Sequence, residues 1–293
     1  MLNIISNNEN MRKGFTLIEL LVVIAIIGLL ASIVTVSLSS SQDRAKQAKI
    51  ESFAAQVHHA LAADAVGIWD FDDAAAGTAN DTSGYKNHGV LPGGSNNPTS
   101  AADRYENPNR AYSFDGSDDY ITINLGSESK FGTSNFSVSF WVNPENNPAP
   151  VSSQNVLTAN SSSQVNGTVG WGFDWQSSEN IAFYSRNSLG GFRPSPAIPL
   201  YPGTWYHVVG VRASGAPQIY VNTIKSINLT TDANMDYNKN AVVYPGLNTG
   251  TRDAFKGKID DVRVYKSAIS SAQIQQLYAQ GLPSHISLIS SNQ

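Results

Sequence analysis

The chain has no cysteine among its 293 residues. Disulfides and thiolate metal centres are therefore excluded, and stability must come from core size or from a bound ion. Charge is also scarce. Asp, Glu, Lys and Arg make up 14% of the sequence, against about 25% in an average soluble domain. Ser, Thr, Asn and Gly take their place, which suits the polar, weakly charged surface of an extracellular β-protein. A net charge of −4 supplies no field that favours nucleic acid. No cluster of Lys and Arg interleaved with aromatics is present either, so no nucleic-acid partner is expected. Catalytic signatures are missing as well. There is no Glu-x-Asp-x-x-Glu run and no Gly-x-Ser-x-Gly elbow. The adjacent pairs Asp118-Asp119 and Asp260-Asp261 alternate across a strand, so neither is expected to form an acid/base couple. His207, mid-strand in WYHVVGV, reads as structural. No enzyme is expected.

What the sequence does have is one long apolar run. Phe15 to Leu38 spans 24 residues with a single charge, Glu19. As a helix it would be about 36 Å long, enough to cross a bilayer. Arg12 and Lys13 precede it, which orients the N-terminus toward the cytoplasm and the rest outward. A secretory signal peptide is a poor fit, because the run is too long and no small-x-small cleavage site follows it cleanly. A plain membrane anchor leaves Glu19 unexplained, since a carboxylate in an apolar helix costs about 2.5–3.5 kcal/mol on insertion scales.

The segment KGFTLIELLVVIAIIGLLA resembles the N-terminal signal of the type IV pilin and pseudopilin family. The resemblance implies that a prepilin peptidase cuts after Gly14 and that the new N-terminal residue, Phe15, is methylated. It implies that Glu19 pairs with the N-terminal amine of a neighbouring subunit, giving the carboxylate its partner. Either Met1 or Met11 could start the chain, the latter leaving MRKG as a short leader. Beyond the apolar run, Ile50, Phe53, Ala54, Val57 and Leu61 recur at helical spacing. One nearly continuous helix is predicted from Phe15 to Ala63. His58 and His59 near its end point about 100° apart and are expected to be surface or packing residues.

After Ala63 the pattern changes to short β-branched and aromatic runs separated by Gly, Asn, Asp, Ser and Pro. Strands are predicted at Val66–Phe71, Arg110–Phe114, Tyr120–Leu125, Phe136–Val142, Gln154–Thr158, Val169–Trp175, Ile181–Ser185, Thr204–Val211, Gln218–Asn222, Ile224–Leu229, Val242–Tyr244 and Lys256–Tyr265. In FSVSFWV, Phe136, Val138, Phe140 and Val142 alternate with Ser137, Ser139 and Trp141, the period of a half-buried strand. A final helix, Ser270–Gln280, is predicted to be capped by Gly281. RPSPAIPLYP reads as an exposed loop. So many short strands argue for a β-sandwich.

The stretches AVGIWDFDD, NDTSGYKNHGV, AYSFDGSDDYITI, FSVSFWVNP, GTWYHVVGVRASG and KGKIDDVRVYKSAISSAQIQQLYAQG, in that order, resemble the laminin G-like, concanavalin A-like jelly roll. That family is a binding scaffold for sugars, peptides and calcium. The resemblance implies a structural calcium between the early loop, with Asp81, Gly84 and Asn87, and the late strand, with Asp260 sharing the parity of Val262 and Val264. The alternative is that both aspartates accept backbone N–H bonds in turns. Trp171, Trp175 and Tyr184 are candidates for an aromatic sugar platform, the alternative being that they fill the core.

The expected architecture is mainly β with a long N-terminal helix: a leader (1–14), a transmembrane and amphipathic pilin helix (15–63), a laminin G-like sandwich (64–282) and a tail (283–293). The expected role is a minor pilin that displays a lectin-like adhesive head, single-pass in the membrane before assembly and then extracellular. The rival is a pseudopilin of a secretion system that recognises exported protein.

Overall fold

The computed structural model describes residues 16–30, 52, 61–145, 153–160, 170–176, 180–186, 192–194, 197–226, 242–246 and 253–282. The chain divides into two units, residues 1–56 and 57–293.

In the first unit, residues 17–30 form helix α1. Its start is written in Thr16-Leu17-Ile18-Glu19. The Thr16 backbone N–H and hydroxyl both donate to Glu19 Oε2 at 2.9 Å, and the Glu19 N–H donates to Thr16 Oγ1 at 3.3 Å. This reciprocal capping box satisfies donors that a helix start leaves free. Every large apolar side chain of α1 is exposed, from Val23 at 46% to Leu17 at 79%. Among the described residues no helix is both long and apolar enough to cross a membrane. Ser52 and residues 61–63 of the predicted helix are helical as expected; the rest of it, with Phe15, His58 and His59, and Gly14 before it lie outside the described residues.

The second unit is a sandwich of two sheets. The first runs in the order β14 (Ile224–Lys225), β13 (Ala216–Val221), β12 (Tyr206–Ala213), β6 (Phe136–Pro144), β17 (Lys256–Tyr265), β4 (Ala111–Asp115) and β3 (Thr99–Ala101), with β1 (Ala65–Trp69) also on β17. The second runs β10 (Phe192–Pro194), β9 (Asn180–Arg186), β8 (Gly170–Gln176), β7 (Ser153–Asn160), β15 (Val242–Pro245), β5 (Thr122–Asn124) and β2 (Gly89–Val90), with β11 (Ile198–Pro199) on β9 and β16 (Asp253–Ala254) on β7. All pairs are antiparallel except β16 with β7.

The alternation in β6 decides its two faces. Phe136, Val138, Phe140 and Val142 are fully buried between the sheets. Phe140 meets Phe173 edge-on at 4.8 Å, and Phe136 meets Phe183 at 6.2 Å. Burying each such side chain contributes about 1.5–3 kcal/mol. A Cβ at Gly210 in β12 would lie 2.5 Å from the Phe173 ring, so only glycine lets the sheets close there.

A smaller apolar cluster covers the outer face of the first sheet. It joins Leu61, Val209, Val211, Tyr220 and Tyr265 to Ile274 and Leu277 of helix α2 (Ser271–Gln280). Ser270 caps α2 in a capping box with Gln273. Gly281 ends it with φ −85°, in the right-handed region. Glycine is required there for space, because a Cβ would meet the Trp141 ring at 2.4 Å.

The segment predicted as an exposed loop, RPSPAIPLYP, instead contributes the edge strands β10 and β11 and buries Leu200 completely. Pro194 and Pro199 lie in these edge strands, where a residue without an N–H is tolerated. The two- and three-residue strands β2, β3 and β16 were too short to carry a periodic signal.

Candidate binding cleft

The last long strand, β17, is irregular at one place. Its pairing with β6 shifts between Asp260 and Arg263, and Asp261 adopts φ +53°. Such bulges re-aim side chains. Ile259, Val262 and Val264 all point into the core. Asp260 lies opposite Trp141 and shares its outward face. The parity expected for Asp260 was therefore wrong, because the extra residue at the bulge breaks the count between 260 and 262. The expectation that Asp260 and Asp261 point apart fails for the same reason. Their carboxylates converge on one guanidinium.

That guanidinium belongs to Arg104, in the hairpin loop between β3 and β4. Asp103 shapes the loop. Its Oδ1 accepts from the N–H groups of Tyr105 (2.8 Å) and Asn107 (2.9 Å), and its Oδ2 accepts from Asn107 Nδ2 at 3.1 Å. Arg104 then reaches inward. Nη1 donates to Asp260 Oδ2 at 2.6 Å, Nη2 to Asp261 Oδ2 at 3.3 Å and Nε to the Gly281 carbonyl at 2.7 Å. The guanidinium carbon lies 4.6 Å from the Tyr105 ring centroid and 4.7 Å from that of Trp141. Arg263 completes the arrangement, donating to Asp261 Oδ1 from Nε at 2.8 Å and pairing through Nη2 at 2.7 Å.

Above these groups opens a cleft of about 290 Å³, lined by Asp70, Asp72, Tyr105, Asn107 and Arg110 together with the buried charges. Arg110 pairs with Asp72 at 2.7 Å on the exposed rim. Burial, with repulsion from Asp72, Asp261 and Asp73, holds the Asp70 carboxyl above its usual range, against the Asp72 N–H that it accepts. The cleft thus offers carboxylates, an amide and an aromatic wall on a rigid floor. Sequence reasoning missed Arg104 and Tyr105. An arginine in a loop is ordinarily a solvated residue, and nothing in its neighbours marks it as buried.

Beside the cleft a pocket of about 50 Å³ lies under α2, lined in part by Ser139, Trp141 and His207. His207 is buried, and burial pushes its imidazole down to about 3. Nε2 lies 2.8 Å from Ser139 Oγ, and the ring packs at 5.2 Å from Trp141. A neutral histidine held in this way is structural, in keeping with the sequence reading.

The residues expected to hold calcium are not brought into one cation site. Asp81 Oδ1 accepts from the N–H groups of Ile68 (3.0 Å) and Ser83 (2.9 Å), and Oδ2 accepts from Asn87 N–H at 2.8 Å. Asn87 donates to the Val66 carbonyl at 2.8 Å and accepts from Trp69 Nε1 at 3.0 Å. Asp260 is bound to Arg104. The turn alternative describes Asp81, and a calcium shared by Asp81, Asn87 and Asp260 does not fit. Among the described residues a different acidic group, Asp115, Asp118 and Asp119, brings three carboxylate oxygens within 4.8 Å of one another. Asp119 is buried, accepts from the Asp115 N–H at 2.8 Å and is pushed up to about 6 by burial. Hard oxygen donors of this kind suit a cation such as Ca²⁺.

The aromatic platform is also corrected. Trp171 and Trp175 point inward and are fully buried in the core. Tyr184 sits opposite Gly172 on the other face of β8 and β9, itself buried, with Oη 2.8 Å from Thr158 Oγ1. Alternation places the three rings on two faces, so no single sugar surface unites them.

Two family models match the chain. The concanavalin A-like lectin/glucanases superfamily matches residues 115–275, and the prokaryotic N-terminal methylation motif matches residues 10–35. No curated protein matches. Solved structures share the fold at low identity. Domain 4 of AbnA, a GH43 extracellular arabinanase from Geobacillus stearothermophilus solved with arabinotriose, is 20% identical, with a TM-score of 0.57 over 73% of this chain and 98% of that domain. The binding domain of botulinum neurotoxin serotype D is 15% identical, with a TM-score of 0.59 over 76% of this chain and 52% of that one. The binding domain of Paraclostridial Mosquitocidal Protein 1 is 14% identical, with a TM-score of 0.56 over 75% of this chain and 53% of that one. The chain therefore spans about half of the toxin binding domains it resembles. Strands β1, β3 and β4, which flank Arg104, lie before the matched stretch or only enter it, yet pair into the same sheet. With more than half its length matched, the chain belongs to the concanavalin A-like lectin/glucanases superfamily and carries a prokaryotic N-terminal methylation motif ahead of that domain.

Proposed function

We propose that the protein is a minor pilin whose lectin-like head displays a glycan-binding cleft outside the cell, without enzymatic activity. The observation that carries this reading is the methylation motif continuing into α1, whose large apolar side chains are all exposed. Such a surface must be covered by lipid before assembly and by neighbouring subunits afterwards. Cleavage after Gly14 frees Phe15, and Glu19 then neutralises the Phe15 amine of an adjacent subunit. Within its own chain Glu19 already holds the Thr16 N–H, so it closes the helix start in both states. The head's ligand is a glycan held in the cleft beside Tyr105, with Asp70, Asp72 and Asn107 facing its hydroxyls. The AbnA domain, which shares the fold, was solved in complex with arabinotriose, and this supports a sugar as the class of ligand.

Glu19→Ala tests the filament role. A broken buried charge pair costs on the order of 3–5 kcal/mol. The variant should be cleaved and reach the membrane, yet be lost from purified filaments. Recovery in filaments at the unmodified level would overturn the pairing. A glycan array probed with the protein, and with Asn107→Ala, tests the cleft. Binding confined to an exported protein would instead point to a pseudopilin.

A further inference from the structure

We infer that Arg104 is the resident cation of the acid pair at the β17 bulge, filling a position that would otherwise need a metal ion, and that it latches α2 to the first sheet. This does not depend on what the head binds.

Three oxygens from distant parts of the chain converge here: Asp260 Oδ2, Asp261 Oδ2 and the Gly281 carbonyl. Each lies within 3.3 Å of a different nitrogen of one guanidinium. Two carboxylates and a carbonyl are the hard donors that a divalent cation takes. The site is shaped for a planar cation instead. The Tyr105 and Trp141 rings lie 4.6 Å and 4.7 Å from the guanidinium carbon. Ring carbons attract a delocalised cation but offer a metal no ligand. The Arg104 side chain is 10% exposed and that of Asp260 3%, so neither charge has water as its main partner. Asp81 and Asn87, which would complete a metal shell, are spent on backbone groups and on Trp69.

The latch follows from where the third bond goes. Gly281 and Gln280 close α2, and carbonyls in a last helical turn lack partners within the helix. Arg104 Nε takes the first, and Tyr105 Oη donates to the Gln280 carbonyl at 3.0 Å. Consecutive residues of the β3–β4 hairpin thus hold the end of α2, where a positive charge is also favoured by the helix dipole.

The test is thermal melting of the full-length protein in detergent at pH 8, with chelator and then with calcium. Four forms are compared: unmodified, Arg104→Ala, Arg104→Ala/Asp261→Asn and Arg104→Lys. Arg104→Ala should melt about 5–10 °C lower in chelator. Calcium should restore at least half of that loss beyond whatever it adds to the double variant, which reports calcium bound anywhere else. The unmodified protein should gain no more from calcium than the double variant does. Arg104→Lys keeps the charge but loses the fork, and should melt between the unmodified protein and Arg104→Ala, with a smaller gain from calcium. It serves as the reference should Arg104→Ala not fold. A larger calcium gain in the unmodified protein than in the double variant would place a metal with Asp260 and Asp261 and overturn the inference. So would unmodified melting of Arg104→Ala in chelator, or a failure of calcium to raise it.

Discussion

Helix α1 and strand β6 are built from the same residue types with opposite results. In α1 the Leu, Ile and Val side chains are all exposed, whereas Phe136, Val138, Phe140 and Val142 of β6 are completely buried. The difference is one of pattern. Apart from Glu19, residues 17–30 are apolar on every side, so no single face can be turned to a core of the same chain. In β6, Ser137, Ser139 and Trp141 mark the other face, and a second sheet can cover the apolar one. An apolar segment that is uniform asks for an external partner, and one that alternates supplies its own.

Changes in the two regions should therefore be read by different measurements. The largest effect is expected at the cleavage point. A bulky residue in place of Gly14 should leave the precursor entirely uncut, and mass spectrometry finding a chain that begins at Phe15 would contradict this. Phe136→Ala should then lower the stability of the head by about 3–5 kcal/mol, read as a shift in the denaturant midpoint. Leu21→Ala in α1 should leave that midpoint within about 0.5 kcal/mol of the original while weakening filament assembly. An equal loss from both would erase the distinction between the regions. Ser270→Ala removes the side-chain cap of α2 and should cost about 1 kcal/mol.

The smallest effect concerns pH. The Asp119 carboxyl is pushed up to about 6 by burial, above its ordinary value near 3.8. Its folded form holds a proton more tightly than its unfolded form. The stability it contributes is thus complete below about pH 4 and is lost as pH rises through 6. Asp119→Asn keeps an acceptor for the Asp115 N–H and should flatten the melting profile across pH 4 to 7, with the gain over the unmodified protein largest at pH 7. A variant whose profile still falls across that window would assign the dependence to another group.

Much of the fold was legible because its signals are local. β17 spans the predicted Lys256–Tyr265, and α2 (Ser271–Gln280) falls within the predicted Ser270–Gln280 and ends at the predicted Gly281. The alternation of FSVSFWV gave the two faces of β6, but the strand it marked as half-buried is buried on both, with Tyr278 of α2 stacked on Trp141. The candidate cleft was not legible. Trp171 and Trp175 look like a sugar platform when read as a list of aromatics, but alternation turns them into the core. The expected calcium ligands sit in suitable segments, but nearby backbone N–H groups had claimed Asp81 and the distant Arg104 had claimed Asp260.

By itself the sequence determined that an apolar, motif-bearing helix precedes a β-sandwich, because periodicity, capping boxes and turn residues act over a few neighbours. Only the tertiary structure decided where Asp260 and Asp261 point. One extra residue in β17 reverses strand parity, and that bulge exists only through pairing with β6, more than a hundred residues earlier. The same holds for Arg104, whose cationic role depends on a hairpin, a bulge and a helix end meeting in space.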